Sequence, residues 1–310
     1  MDLTPGGDFN NASAAYSCID VKPLAAAMGA EICGVDLASM SDEVFLEVEH
    51  ALFRHKMVFF RNQSMSHADH EAVSLRFGPF AEDAYTDGIE GHRAVQPLIK
   101  EAADRVNWVF GNGWHSDSPF IESPPVLTML RSIEVPPFGG DTLFANGALA
   151  YRMLSDAMKR LLAPLQVHMS MGEVLSAVQK HEQASDSIVG RLAATRELTE
   201  VPDDLQAKID GQFHPLVRQH DRTGELSLYC DPYYSVGLQG FAAPESRALL
   251  AFLTAHLTQP AFQCRLRWEP GMVTIWDNRS CVHHAFNDYD GHRREMYRTT
   301  VGGPVPQGPA

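Results

Sequence analysis

The chain has few of the features that mark secreted or membrane proteins. Its five cysteines are odd in number and scattered, with no Cys-x-x-Cys pair, so the sequence predicts neither a disulfide framework nor a zinc knuckle. No run of about 18 apolar residues occurs, and no basic segment followed by an apolar one opens the sequence. We therefore expect a soluble, cytoplasmic protein with reduced thiols.

Positive charge is also scarce. Lys and Arg number 25 against 39 Asp and Glu, which gives a formal net charge of -14. Because an acidic surface repels phosphate groups, the composition argues against a nucleic acid or an anionic membrane as partner. An anionic small molecule would need a local basic pocket. The 310 residues, 45% of them hydrophobic, suffice for one large domain with a buried core.

Apolar spacing predicts a succession of helices and strands. Residues after Ser41 follow helical spacing and lead into an apolar strand at 57–61. Ser66, with an acidic residue three positions on, is typical of a helix N-terminus. A helix is predicted over 147–163, and residues 262–268 alternate as a half-buried strand. Strands are expected to dominate the part of the fold that performs chemistry.

No repeat and no linker divides the chain, so the sequence predicts one domain over residues 17–302. Residues 1–16 are rich in Gly, Asn, Ser and Ala and are predicted to be a disordered lead-in, and residues 303–310 a flexible tail. The stretch 79–113 is long and weakly periodic. Since it directly precedes the first candidate ligands, it is predicted to be a loop that covers a site.

The triplet His115-Ser116-Asp117 is the first candidate for chemistry. Side chains two apart in an extended segment share a face, so His115 and Asp117 can point at one spot. A second imidazole would complete the two-histidine, one-carboxylate set that binds non-haem Fe(II) and leaves three positions open. His283 is the candidate for it. A surface turn is the alternative for the triplet, because the chain has 14 histidines.

A basic strand follows near the end of the chain. Residues 293–301 alternate well enough to place Arg294, Met296 and Arg298 on one face. A guanidinium pairs through two parallel hydrogen bonds with a carboxylate, so Arg294 near a metal suggests an organic acid held against it. Arg293 is expected to be a solvated charge.

Several motifs occur in a fixed order along the chain. They are Trp114-His115-Ser116-Asp117, Gly139-Gly140-Asp141-Thr142-Leu143, His214-Pro215-Leu216-Val217-Arg218, and the run from Trp276-Asp277-Asn278-Arg279 to Arg298. In order and spacing they resemble the Fe(II)- and 2-oxoglutarate-dependent dioxygenases of the taurine dioxygenase (TauD/TfdA) family, and the resemblance covers nearly the whole sequence. It implies a mainly β fold with flanking helices, a double-stranded β-helix (jelly roll, cupin-like).

The resemblance also implies roles for individual residues. His115, Asp117 and His283 would be the iron ligands. Thr142 and Arg294 would hold the distal carboxylate of 2-oxoglutarate. The implied cofactor and cosubstrates are Fe(II), 2-oxoglutarate and O2, and the implied reaction hydroxylates a C–H bond of a small organic substrate with release of succinate and CO2. Because Asp117 is present, hydroxylation is favoured over halogenation.

The substrate pocket is assigned by resemblance to Tyr85, Tyr234 and Arg298. In the taurine enzyme an arginine matching Arg298 and a histidine hold the sulfonate, whereas here Glu82 or Asp83 falls where that histidine would be. Since a carboxylate repels a sulfonate, taurine is not expected as the substrate. Arg298 points to another substrate with an anionic group. Homo-oligomers are common in the family, so one is expected here.

Two other classes of protein could use the same residues. One is a metal-binding jelly roll that acts as a sensor without oxygen chemistry, but such a protein would not need Thr142 and Arg294. The other is a zinc hydrolase, which would want a general base near the metal. That base is commonly a Glu by the first histidine, and none adjoins His115. The dioxygenase is therefore the main hypothesis.

Overall fold

Antiparallel strand pairing organises the part of the chain that the computed structural model describes, residues 9–82, 88–104, 111, 113–181 and 203–309. Helices lie outside the strands, and the predicted jelly-roll class, mainly β with flanking helices, is confirmed. Two of the sheets position the residues singled out above.

The larger of these sheets has seven strands, and every neighbouring pair is antiparallel except β2 with β3. In sheet order the strands are β1 (Asp20–Pro23), β2 (Ala30–Cys33), β3 (Met57–Phe60), β13 (Val273–Asp277), β5 (Leu127–Glu134), β15 (Arg294–Val301) and β4 (Gln96–Lys100). The strand with alternating arginines therefore lies between β5 and β4. Its residues Arg294, Met296 and Arg298 are buried and alternate with half-buried ones, as predicted.

A second sheet, of three strands, carries the other candidate residues. Its order is β12 (Gln263–Leu266), β6 (Thr142–Asn146) and β14 (Cys281–Ala285). The register places His283 opposite Phe144 and Ala285 opposite Thr142. Thr142 and His283 are thus two residues apart along one strand pair. Two smaller sheets comprise β7 (Gln166–Met169), β8 (Gln212–Pro215) and β11 (Ser235–Leu238), and β9 (Val217–Gln219) with β10 (Leu226–Leu228).

Three of the helices begin where a serine side chain satisfies a free backbone N–H group. Ser41 accepts from the N–H of Val44, and Ser66, at the predicted helix N-terminus, forms a capping box with Asp69. None of the described helices is both long and apolar enough to cross a membrane. The α-helices are α1 (Asp42–His55), α2 (His67–Phe77), α3 (Gly147–Arg152), α4 (Asp156–Leu162), α5 (Gly172–His181), α6 (Asp203–Asp210) and α7 (Ala243–Leu257), with 3-10 turns at Leu37–Ser39 and Pro260–Phe262.

The single helix predicted over 147–163 was wrong, because the structure has two helices there. The first ends at Arg152, and Ser155 caps the second by accepting from the N–H of Met158 at 3.2 Å. A serine that satisfies a free N–H in this way favours a new helix start over continuation. The apolar spacing alone did not reveal the break.

The apolar core divides into two clusters on either side of the large sheet. Strand β3 shows why, since its four residues are all buried and alternate between the two sides. Met57 and Phe59 join the cluster between the sheets, which contains Phe144, whereas Val58 and Phe60 join the cluster under the first helices. A strand covered on both faces has a continuous apolar sequence, as this one does.

The segments predicted to be a lead-in, a covering loop and a tail all contact the rest of the fold where they are described. The buried side-chain amide of Asn11 donates to the carbonyls of Ala25 and Gly29. Gln219 N–H donates to the carbonyl of Gln307 at 2.8 Å. Within 79–113, β4 pairs with β15, and residues 83–87, 105–110 and 112 lie outside the described part.

Candidate active site

The structure brings the three predicted metal ligands together. The ligand atoms of His115, Asp117 and His283 all lie within 4.8 Å of one another. His283 Nε2 is 3.9 Å from Asp117 Oδ1, and the two imidazole centroids are 4.1 Å apart. All three residues are buried. In the part of the chain that is described, this is the one cluster of His, Cys, Asp and Glu with metal-ligand spacing.

An antiparallel bridge holds the two histidines together although they lie 168 positions apart in the sequence. The N–H of His115 donates to the carbonyl of His283 at 2.9 Å, and the N–H of His283 donates back at 2.8 Å. His283 lies on β14, and its ring packs against the indole of Trp276 at a centroid distance of 4.8 Å. The position of both imidazoles is therefore set by backbone pairing and by packing.

The His115 ring has a defined tautomer. Its Nδ1 lies 2.8 Å from the carbonyl of Gly113, which can only accept, so Nδ1 carries the proton and Nε2 keeps its lone pair. Gly113 has a φ of +106°, and an added Cβ would lie 2.8 Å from the ring of Tyr233. A glycine is required there for both reasons.

The electrostatics of the cluster suit a divalent cation. Burial lowers the pKa of both histidines, that of His283 to about 3, so both rings are neutral at pH 7. Burial raises the pKa of Asp117, but the neighbouring His283 and Arg298 outweigh it, and the net shift is downward. Two neutral imidazoles and one ionised carboxylate are the donor set that non-haem Fe(II) sites use.

A buried arginine lies in the same cavity. Arg294 packs between Trp268 and Tyr289, with its guanidinium carbon 5.9 and 6.0 Å from the ring centroids. Burial lowers its pKa, while Tyr289 raises it. Among the described residues, its Nε has no hydrogen-bond partner and no carboxylate pairs with it. Thr142 lies nearby and accepts from the indole N–H of Trp268 at 3.0 Å. An entering carboxylate would offset the cost of burying this cation.

Arg298 lies four residues after Arg294 on the same face of β15, and its side chain contacts a proposed metal ligand. Its Nε donates to Gln96 Oε1 at 2.8 Å, and its Nη1 donates to Asp117 Oδ1 at 3.4 Å. Six predicted residues thus line one cavity. They are His115, Asp117, Thr142, His283, Arg294 and Arg298.

The remaining predicted pocket residues are placed differently. Tyr234 is buried, with its ring 6.4 Å from His115 and 5.1 Å from Phe120, in the wall behind the histidine. Tyr85 and Asp83 lie outside the described residues. Glu82 is exposed, so its carboxylate does not belong to the buried cavity.

Two polar residues near the ligands were missed by the sequence analysis. Thr128 donates to Asp117 Oδ2 at 2.5 Å. Asp231 is fully buried and accepts from the backbone N–H groups of Ser116 and Tyr234, at 3.4 and 2.7 Å. Burial raises the pKa of Asp231 to about 7. Neither residue stands in a motif with ligand spacing, and only the tertiary structure brings them to the site.

A jelly roll that holds two imidazoles and a carboxylate in a buried cavity is typical of non-haem iron oxygenases. Comparison with known proteins identifies the family within this class of oxygenases. The profile of the family described as "Taurine catabolism dioxygenase TauD, TfdA family" matches residues 20–300. The chain belongs to this family, and it is a 2-oxoglutarate-dependent non-haem iron dioxygenase that acts on a small molecule.

Individual relatives are similar over almost their whole length. An alpha-ketoglutarate-dependent sulfate ester dioxygenase of Pseudomonas putida is 32% identical, over 94% of this chain and 91% of its own. An alkylsulfatase of Acinetobacter baylyi is 30% identical, over 94% and 87%. Among solved structures, a taurine dioxygenase of Burkholderia xenovorans superimposes with a TM-score of 0.76 and 34% identity, over 94% of each chain.

Proposed function

We propose that His115, Asp117 and His283 bind the iron of this dioxygenase. The observation that carries the proposal is their convergence, with ligand atoms within 4.8 Å in a buried cavity. The carbonyl of Gly113 directs the His115 lone pair away from the backbone. The low pKa values of the two histidines keep them in the form that binds metal.

We further propose that Thr142 and Arg294 receive the distal carboxylate of 2-oxoglutarate. The support is that a buried guanidinium, without a carboxylate partner among the described residues, lines the same cavity as the three ligands. With its far end held there, the keto acid end of the molecule faces the metal ligands. Bound Fe(II) supplies the activation of O2, which is coupled to loss of CO2 from the keto acid to leave succinate.

For the primary substrate we propose an alkyl sulfate ester. Two relatives at 30% identity or more are named for sulfate esters or alkyl sulfates. In this chain Arg298 offers a guanidinium beside Asp117 that can pair with a sulfate, and Leu98 and Leu130 line the same cavity with apolar surface. An anionic head and an apolar chain are the two features that these side chains recognise.

The chemistry of such a substrate balances without a further reactant. Hydroxylation replaces a C–H bond on the carbon that bears the sulfate by C–OH, with one oxygen atom from O2 and the other in succinate. The hydroxyl group then loses its proton, a C=O bond forms, and the C–O bond to sulfate breaks. The products are an aldehyde, inorganic sulfate, succinate and CO2.

Turnover with a panel of substrates tests this proposal. Purified protein with Fe(II), 2-oxoglutarate and O2 is given hexyl sulfate, taurine or 2,4-dichlorophenoxyacetate, and succinate, sulfate and aldehyde are measured. We expect equal amounts of the three products with hexyl sulfate, and Asp117→Ala as the inactive control. Substrate-stimulated succinate with taurine or the phenoxyacetate alone would contradict the sulfate ester assignment.

We also propose that the protein works in the cytoplasm as a homo-oligomer, with no nucleic-acid or membrane partner. The net charge of -14 supports the lack of a polyanionic partner. The scattered cysteines support a reducing compartment. Light scattering coupled to size-exclusion chromatography measures the mass of the assembly, and a mass of 34.3 kDa would contradict the oligomer.

A further inference from the structure

The carboxylate of Asp117 is held by a chain of hydrogen bonds that does not include the other proposed metal ligands. Its Oδ2 accepts from the Thr128 hydroxyl at 2.5 Å. Thr128 Oγ1 in turn accepts from the Asn278 side-chain amide at 2.9 Å. The amide oxygen of Asn278 accepts from the indole N–H of Trp276 at 3.0 Å. Three side chains from two strands and a turn therefore act on one carboxylate.

The indole N–H of Trp276 determines the direction of every hydrogen bond in this series. An indole N–H can only donate, so it selects the amide orientation in which Asn278 Oδ1 faces Trp276 and Nδ2 faces Thr128. Since the Thr128 oxygen already accepts from that amide, its single proton is available for Asp117 Oδ2. All donors thus point toward the carboxylate, and such chains of hydrogen bonds strengthen one another.

Water cannot replace these contacts. Trp276, Thr128 and Asn278 are each at most 2% exposed. Thr128 and Trp276 are directly paired across β5 and β13, so the backbone ladder keeps the two ends of the chain in register. The Trp276 ring also packs against His283. One indole therefore positions an imidazole ligand by contact and the carboxylate ligand through hydrogen bonds.

The two oxygens of Asp117 consequently have different surroundings. Oδ2 is occupied by Thr128, whereas Oδ1 faces His283 Nε2 at 3.9 Å and Arg298 Nη1 at 3.4 Å. We propose that Thr128, Asn278 and Trp276 are positioning residues that present Asp117 to the metal through Oδ1 alone. The proposal rests on the function proposed above, in which Asp117 is a metal ligand. Binding through one oxygen keeps a coordination position open for the cosubstrates.

We call the series of hydrogen bonds from Trp276 through Asn278 and Thr128 to Asp117 the relay. Anaerobic calorimetry with Co(II) as the probe tests its role without a measurement of turnover. Thr128→Val keeps the shape of the side chain and removes the hydroxyl. We expect the Co(II) dissociation constant to rise about 10- to 100-fold, the range typical of lost contacts behind a metal ligand. Thr128→Ser keeps the hydroxyl and should restore most of the affinity.

Thr274→Val is the matched control. Thr274 is a fully buried threonine on the neighbouring β13, and its hydroxyl has no hydrogen-bond partner among the described residues. Thr274→Val should keep or raise the thermal unfolding midpoint of the metal-free protein, since it removes an unsatisfied hydroxyl, whereas Thr128→Val should lower that midpoint because Asp117 and Asn278 each lose a hydrogen-bond partner. Only Thr128→Val should weaken Co(II) binding. Equal Co(II) affinity in the two variants would overturn the relay.

The visible spectrum of the Co(II) form gives a second readout. If Oδ2 is released in Thr128→Val, a carboxylate bound through both oxygens raises the coordination number and lowers the intensity of the Co(II) d–d bands. Trp276→Phe keeps the ring against His283 but removes the indole N–H, and we expect a smaller loss of affinity. Should Thr128→Val not fold, an unchanged Co(II) affinity in Trp276→Phe overturns the proposal.

Asp117→Ala separates the two proposals. If it binds Co(II) as tightly as the parent protein, Asp117 is no ligand and the proposed metal site fails together with the relay. If it loses Co(II) while Thr128→Val keeps the parent affinity and spectrum, the metal site stands and only the relay fails. Loss in both variants, with rescue by Thr128→Ser, supports both proposals.

Discussion

Replacing Arg294 with methionine separates the cost of burying this arginine from its value in binding the cosubstrate. The guanidinium is buried between Trp268 and Tyr289, and no carboxylate of the described chain offsets its charge. An apolar side chain of similar length can therefore be accommodated without loss. For buried charges such replacements are often neutral or stabilising by about 1 to 4 kcal/mol. We expect the unfolding midpoint of Arg294→Met, without ligands, to stay or rise.

The same change should weaken 2-oxoglutarate binding strongly. A hydrogen bond to a charged group contributes about 1.5 to 3 kcal/mol, and leaving a carboxylate buried without its partner costs about 2 to 5 kcal/mol. Taking about 3 kcal/mol as a central value, the dissociation constant of 2-oxoglutarate rises on the order of 100-fold. Anaerobic calorimetry with the Co(II) form measures it directly.

Arg293→Met is the control for this experiment. Arg293 directly precedes Arg294 but faces outward, where it pairs with Glu101, Glu134 and Glu295 at 3.1, 2.8 and 2.5 Å. Its loss should leave the 2-oxoglutarate affinity unchanged, since exposed ion pairs contribute little. The assignment of Arg294 is refuted if both variants bind 2-oxoglutarate as the parent does. A large drop in the stability of ligand-free Arg294→Met would refute the burial reasoning.

Three further predictions concern other parts of the molecule. Asp117→Ala should abolish iron-dependent succinate formation while the protein still unfolds cooperatively, and residual coupled turnover would remove Asp117 from the ligand set. Arg298→Gln should raise the KM for an alkyl sulfate about 10- to 100-fold, the equivalent of one charge-assisted hydrogen bond, and change the 2-oxoglutarate affinity far less. Acid should lower the free energy of unfolding between pH 6.5 and about 4. Burial lowers the pKa of His55 and His214 to about 4 in the folded protein, so over this range the unfolded chain binds protons that the folded protein does not. In urea unfolding at several pH values, His55→Gln should flatten that slope, and an unchanged slope would exclude His55 as a contributor.

Local periodicity and the motif order together predicted a good part of the site. Alternation along a strand placed Arg294 and Arg298 on one buried face, as the structure has them. The helix start at Ser66 could be predicted because an N-terminal cap is a contact between residues three apart, and the helix after Ser41 because its apolar residues follow helical spacing. Strand alternation and helix caps depend on residues that are close together in the sequence, so they can be predicted from it.

The convergence of His283 with His115 could be predicted only because the motif order resembles a known family. Nothing in the spacing of these two residues requires that they meet. The structure joins them by a bridge of two backbone hydrogen bonds, and that bridge exists because two sheets stack around a common core.

By itself, the sequence determined the residue types of the site, the alternation of the arginines and the helix starts after Ser41 and Ser66. Only the tertiary structure decided that Thr128 and Asn278 hold Asp117, that Asp231 supports the ligand segment, and that a strand, β4, lies within the predicted covering loop. The reason is physical: a hydrogen bond between residues 11 to 150 positions apart depends on strand register, and register is set by how the whole core packs.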